Sequence, residues 1–195
     1  WALAGKDINM QKGHLQSVEK MIELIYENTK IFDKPFKFLD IGCGNGWVVR
    51  EISKFKNCKV AEGIDGAKEM INKAELVDNH NSYYLADIEK WSPNKKYDII
   101  FSMEVFYYFK YPDKILKNLY NYLNSNGIII IGIDHYKENK PSLNWDEEYN
   151  INTNTLSIEQ WKKCLENSGL NNIMDCQFGE KDEWLGTLIL LGNKK

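Results

Sequence analysis

The stretch "FLDIGCGNGW", Phe38 to Trp47, sets an acidic residue, Asp40, two positions ahead of three alternating glycines, Gly42, Gly44 and Gly46. The run "KFLDIG" is short and apolar, as a buried strand is, while Val48, Val49, Ile52 and Phe55 recur at helical spacing. A glycine-rich turn between strand and helix lets backbone approach a ligand, and the helix start offers it unpaired N–H groups. Two well-known versions of this turn do not fit. A dinucleotide turn reads G-x-G-x-x-G, and Trp47 stands where its third glycine is needed. A P-loop requires Lys and Ser/Thr after the last glycine, and neither is present.

Outward from this turn, strand-like and helix-like segments alternate. "SVEKMIELIYENT" places Val18, Ile22, Ile25 and Tyr26 on one helical face ahead of the first strand. After the glycine turn come "KVAEGID" as a strand, "AKEMINKAE" as a helix, and "SYYLADI" and "YDIIFSM" as the third and fourth strands. "PDKILKNLYNYL" starts a helix at Pro112, with Ile115, Leu116, Leu119 and Leu123 inward. "SNGIIIIGID" is a β-branched fifth strand. "SIEQWKKCLENSGL" opens on a capping box, Ser157 to Gln160, and ends at Gly169. "NNIMDCQF" and "EWLGTLILLGN", joined by a short polar turn, read as an antiparallel pair at the sheet edge. The pattern is that of one α/β domain over residues 1–195, with helices on both faces of a mostly parallel sheet.

With 195 residues the chain can bury one sizeable core, and its apolar share of 43% and charged share of 27% are those of a globular protein. Mean hydropathy of -0.50 and the lack of a long apolar run argue against a membrane span. The first residues, from Trp1, carry no basic-then-apolar signal pattern. A net charge of -3 with scattered lysines gives no basic stripe, so no nucleic-acid partner is expected. Cys43, Cys58, Cys164 and Cys176 form no C-x-x-C pair, which fits reduced thiols in a cytoplasmic protein. His14, His80 and His135 are too dispersed for their spacing to mark a metal site, and none is expected.

"LDIGCGNG", "GIDGAKEMI", "LADIEKW" and "YDIIFSMEVFYYF" resemble, in order and spacing, the successive motifs of class I S-adenosylmethionine-dependent methyltransferases, over roughly residues 36 to 134. The resemblance implies a Rossmann-like, doubly wound, seven-stranded sheet of order 3-2-1-4-5-7-6, strand 7 antiparallel, and an N-terminal cap over residues 1–30. It implies S-adenosyl-L-methionine as cofactor and S-adenosyl-L-homocysteine as product. The turn of Gly42, Cys43, Gly44 and Gly46 would approach the methionyl and ribose portion, and Asp40 its ammonium. Asp65 would accept from the ribose hydroxyls, with Gly66 and Met70 beside the adenine. Asp87 would meet the adenine amine, the Ile88 N–H a ring nitrogen, and the carbonyls of Ser102 and Met103 the ammonium. The same residues have plainer uses: Asp40 and Asp65 as helix caps, Asp87 as a turn acid, Met70 as core.

A sulfonium is already a good leaving group, so the protein chiefly aligns an acceptor behind the methyl carbon. A base is needed only where the acceptor keeps a proton, and Glu104, Tyr107, Tyr108 and His135 stand at strand ends for that task. His135 has the plainer reading of a loop histidine bonded to backbone. Phe106 to Phe109 could line an acceptor pocket or anchor the next helix. Residues 135–156, irregular and polar, form a lid, whose Asp146, Glu147 and Glu148 could attract an amine or be solvated loop acids. The N-terminal segment from Trp1 through Met10 and His14 is expected to fold over the cofactor. The D/N-P-P-Y/F signature of methylation on nucleic-acid bases is absent, which favours a small-molecule acceptor over RNA or protein. A non-catalytic cofactor binder acting through a partner, and a nicotinamide oxidoreductase disfavoured by Trp47, stay as rivals. No oligomeric state follows from the sequence.

Overall fold

Neighbouring residues in the strands belong to opposite faces, and both faces are covered. In the computed structural model, which describes residues 6–195, Phe38, Ile128 and Ile130 pack into one core, and Leu39, Ile129 and Ile131 into another. The strands are β1 (Phe36–Ile41), β2 (Cys58–Asp65), β3 (Ser82–Leu85), β4 (Tyr97–Met103), β5 (Leu123–Ile133), β6 (Asn171–Phe178) and β7 (Thr187–Asn193). Their order is β3-β2-β1-β4-β5-β7-β6, as the family resemblance implies. β1 to β5 pair in parallel, and β7 runs antiparallel to β5 and β6.

On the first face lie α1 (Lys6–Asn28), α2 (Trp47–Ser53) and α3 (Lys68–Val77), which supply Met21, Val49 and Ile71. On the second lie α4 (Pro112–Asn121) and α6 (Ile158–Asn167), supplying Leu116 and Trp161, with the short α5 (Trp145–Tyr149) between β5 and α6. Pro112 occupies the first turn of α4. The Ser157 hydroxyl accepts from the Gln160 N–H, and the Gln160 side chain from the Ser157 N–H, closing the expected box. No helix among the described residues is long and apolar enough to cross a membrane.

Two segments differ from the sequence reading. α1 starts at Lys6, about three turns before Ser17, and Gly13 sits inside it. Its inward face is Val18, Met21 and Ile25, whereas Tyr26 is 55% exposed and packs its ring 4.5 Å from that of Phe32. Residues 135–156 are not uniformly irregular and solvated: they hold a 3-10 turn (Lys140–Ser142) and α5, and Tyr136, Asn139 and Ser142 are buried.

The parallel register brings the carboxyl ends of β1, β2, β3 and β4 to one rim: Ile41 lies beside Ile64, and Asp65 beside Leu85. Beneath that rim Asp78, just past α3, accepts from the Tyr83 hydroxyl at 2.7 Å, the Asn81 amide at 2.7 Å and the His80 N–H at 2.9 Å. Burial alone would raise the Asp78 pKa, but these donors outweigh it and hold it at about 2. Its folded pKa is thus below the unfolded value of about 3.9, so its contribution is complete above that pH and is lost as pH falls toward 2. Urea unfolding of the wild type and Asp78→Asn should therefore differ most near pH 6 and converge as pH drops through that window. A gap that stays constant with pH would exclude the carboxylate as its source.

Candidate active site

Each glycine of the opening turn has a positive φ: Gly42 at 71°, Gly44 at 54° and Gly46 at 74°. The N–H groups of Gly42 and Cys43 donate to the Ile64 carbonyl at 2.7 and 3.0 Å, fastening the turn to the end of β2. A Cβ on Gly42 would stand 2.2 Å from Val105, and one on Gly46 2.3 Å from the Tyr83 ring. A Cβ on Gly44 or Gly66 would meet nothing within 4 Å, because both border open space. That space is a cavity of about 720 Å³ at the strand rim.

Asp40, Gly42, Cys43, Gly44, Asp65, Gly66, Met70, Asp87, Ile88 and Met103 all line it. Gly46 and Ser102 do not. Gly46 instead caps α2 in a left-handed conformation over Tyr83, and the Ser102 hydroxyl turns away to donate to the Ile41 carbonyl at 2.8 Å. Asp65 accepts from the Gly44 N–H at 2.9 Å and the Ala67 N–H at 2.7 Å, so it braces the turn and caps the chain entering α3. Asp87 matches its plainer reading as well: it is exposed, accepts from the Glu89 N–H and pairs with Lys90. Those two contacts, the Glu89 N–H first, lower its pKa. Asp40 is buried and accepts no hydrogen bond among the described residues. Burial, then the charge of Asp65, push its pKa well above the carboxylate range. Burial raises the pKa of the Cys43 thiol too, which disfavours its thiolate.

The base candidates separate cleanly. Glu104 lines the cavity, 7% exposed, with a left-handed backbone at φ 61°. It accepts from the Asp134 N–H at 2.6 Å and the Tyr107 hydroxyl at 3.0 Å. Burial, then Asp134, raise its pKa well above the usual range. Tyr107 is buried off the cavity, and burial raises its phenol further, so its hydroxyl holds Glu104 rather than a substrate. His135 is also off the cavity, with Nδ1 on the Ser142 carbonyl at 2.9 Å and Nε2 near the hydroxyls of Thr155 and Thr153 at 2.8 and 3.0 Å. Burial lowers its pKa. Its placement matches the plainer reading of a histidine bonded to backbone. Tyr108 does line the wall, with Phe109.

The segment expected to fold over the cofactor reaches the cavity as helix α1, which the sequence reading does not extend back to Lys6. Asp7, Met10, Gln11 and His14 line the cavity. Asp7 accepts from Lys73 at 2.8 Å and Asn45 at 3.1 Å, and His14 lies 3.3 Å from Asp134. Burial would lower the His14 pKa, but Asp134 and Glu104 overrule it and raise it to about 9. Ile151 closes the wall from the segment after α5. Trp1 and Gly5 of the expected cap lie outside the described residues. The wall carries five carboxylates and no Lys or Arg among the described residues.

A sequence profile described as a methyltransferase domain matches residues 12–174. The chain belongs to the methyltransferase domain family. It is 32% identical over 142 residues to malonyl-[acyl-carrier protein] O-methyltransferase 2 of Ilyobacter polytropus, covering 69% of this chain and 54% of that protein. The chain thus spans about half the length of that relative. Its fold superposes with a TM-score of 0.86, at 21% identity, on a Haloferax volcanii methyltransferase solved with the Trm112 methyltransferase activator, covering 99% of this chain and 95% of the other. It also superposes on the N-methyltransferase NodS of Bradyrhizobium japonicum, solved with S-adenosyl-L-homocysteine, at a TM-score of 0.67 and 17% identity, covering 92% and 86%. Its fold is that of class I S-adenosylmethionine-dependent methyltransferases.

In this methyltransferase the glycines are not equivalent. Gly46→Ala faces both a left-handed backbone and the Tyr83 ring, and should destabilise by at least about 2 kcal/mol. Gly44→Ala faces the backbone term alone and should lose less in the same urea unfolding series. Equal losses would mean that the Tyr83 ring moves aside freely.

Proposed function

We propose that this methyltransferase moves a methyl group from S-adenosyl-L-methionine to a small-molecule acceptor by in-line displacement, leaving S-adenosyl-L-homocysteine. The observation that carries this reading is the convergence of Asp40, Asp65 and Asp87, from three successive strand ends, on a wall with no Lys or Arg among the described residues. Such a wall suits a ligand with fixed positive charge and a diol. When bound, that cofactor supplies a methyl carbon made electrophilic by its sulfonium.

The protein's part is placement. Asp40, buried and unpaired, receives the ammonium, with the carbonyls of Ser102 and Met103 nearby. Asp65 uses two of roughly four lone-pair directions on backbone N–H groups, which orients it and leaves the rest for ribose hydroxyls. Gly42, Cys43 and Gly44 present backbone where a side chain would obstruct. Gly66 and Met70 flank the purine, with Asp87 and the Ile88 N–H at its edge. Glu104 is the base for an acceptor that must lose a proton, and Tyr108 and Phe109 form the acceptor wall. Residues 135–156 serve as a lid, tied down where the Asn154 N–H donates to the Tyr107 carbonyl at 2.7 Å, and α1 as the cap. The short acidic run at Asp146 to Glu148 is off the cavity wall.

Calorimetry with S-adenosyl-L-homocysteine should show Asp65→Ala weakening affinity by about 10- to 100-fold, since it removes charge-assisted hydrogen bonds. Near-normal affinity would refute the ribose role. Incubating the protein with radiolabelled methyl donor and a fractionated cell extract should place label in small molecules. Label in RNA or protein fractions would replace the acceptor class, and binding without any label would make the chain a non-catalytic binder.

A further inference from the structure

His14 of α1, Glu104 after β4 and Asp134 after β5 meet at the cavity, although the first and last are 120 residues apart. Each contributes one nitrogen or oxygen, and the three atoms lie within 4.8 Å of one another. Donors around one divalent ion, bonded at roughly 2.0–2.2 Å, sit roughly 3–4 Å apart, so modest side-chain tightening closes the set.

The hydrogen-bond pattern asks for a cation here. His14 Nδ1 is 2.9 Å from the Met10 carbonyl, which can only accept, so Nδ1 carries its hydrogen. That leaves Nε2 facing Asp134 Oδ2 at 3.3 Å, also acceptor-only, and the gap between two lone pairs must hold a proton or a metal. Asp134 is 8% exposed, and its Oδ1 is buried with no hydrogen-bond partner. Glu104 is held from behind by the Tyr107 hydroxyl and the Asp134 N–H, as metal-bound carboxylates are held. Two carboxylates and one imidazole carry a charge that a dipositive ion offsets.

We propose that His14, Glu104 and Asp134 form a binding site for a divalent d-block cation such as Zn²⁺ or Mn²⁺. The mixed imidazole and carboxylate donors match that class better than Mg²⁺ or Ca²⁺, which favour oxygen alone. His14 and Glu104 line the cavity, so the ion's free positions open into it. On a wall with no Lys or Arg among the described residues, the ion would hold an acceptor oxygen and ease its deprotonation, Glu104 then acting as its ligand in place of a free base. That last role rests on the methyl-transfer reading, whereas ion binding does not.

The chelator-treated full chain, titrated with Mn²⁺ by electron paramagnetic resonance and with Zn²⁺ by calorimetry, should take up one equivalent. His14→Gln and Asp134→Asn should each weaken uptake by at least about tenfold. Asp134 is off the cavity wall, so Asp134→Asn should still bind S-adenosyl-L-homocysteine, which certifies its fold and separates this test from the donor site. Absence of saturable uptake by the wild type, or uptake unchanged in both variants, would overturn the proposal and leave a proton in the gap.

Discussion

One carboxylate ties the rim together. Asp65, at the end of β2, accepts from the turn after β1 through Gly44 and from the entry to α3 through Ala67. The Ile64 carbonyl beside it accepts two further N–H groups from Gly42 and Cys43. Parallel pairing sets the strand ends side by side, but the three bonds from Gly42, Cys43 and Gly44 fold the glycine turn back across them. Without that clasp the positive-φ backbone of the turn has no partner for its N–H groups, and the cavity loses its floor.

Charge is the second organising constraint. Asp40 and Glu104 are buried carboxylates whose surroundings resist ionisation, and both face the cavity. A buried acid without a partner is costly, so such groups persist where a cationic ligand meets them. The wall is rich in carboxylates and holds no Lys or Arg among the described residues, leaving His14 as its basic side chain. Tyr83, clamped by Asp78 beneath Gly46, supplies rigid support below.

Much of this was readable in advance, and the exceptions share a cause. Continuous apolar runs located β1, β4 and β5, which are buried on both faces, and 3.6-residue periodicity located the helices. The strand order came from the family resemblance rather than from periodicity. The first three turns of α1 were hidden because Lys6 to Gln16 carry few apolar residues and include Gly13. Their helix is held by tertiary bonds, from Asp7 to Lys73 and from His14 to Asp134, that no local pattern displays. Tyr107 and His135 sit at strand ends, as a base should, but position does not give direction. Both turn toward the second core, where Trp145 packs within 5.9 Å of each ring.

The left-handed backbone at Glu104 has its own consequence. A residue other than glycine in that region carries strain that folding must absorb once. The bend lets its carboxylate reach the Tyr107 hydroxyl and the Asp134 N–H together, and those two bonds hold it at the cavity wall. Few other side chains could take that bend and still reach both the Tyr107 hydroxyl and the Asp134 N–H.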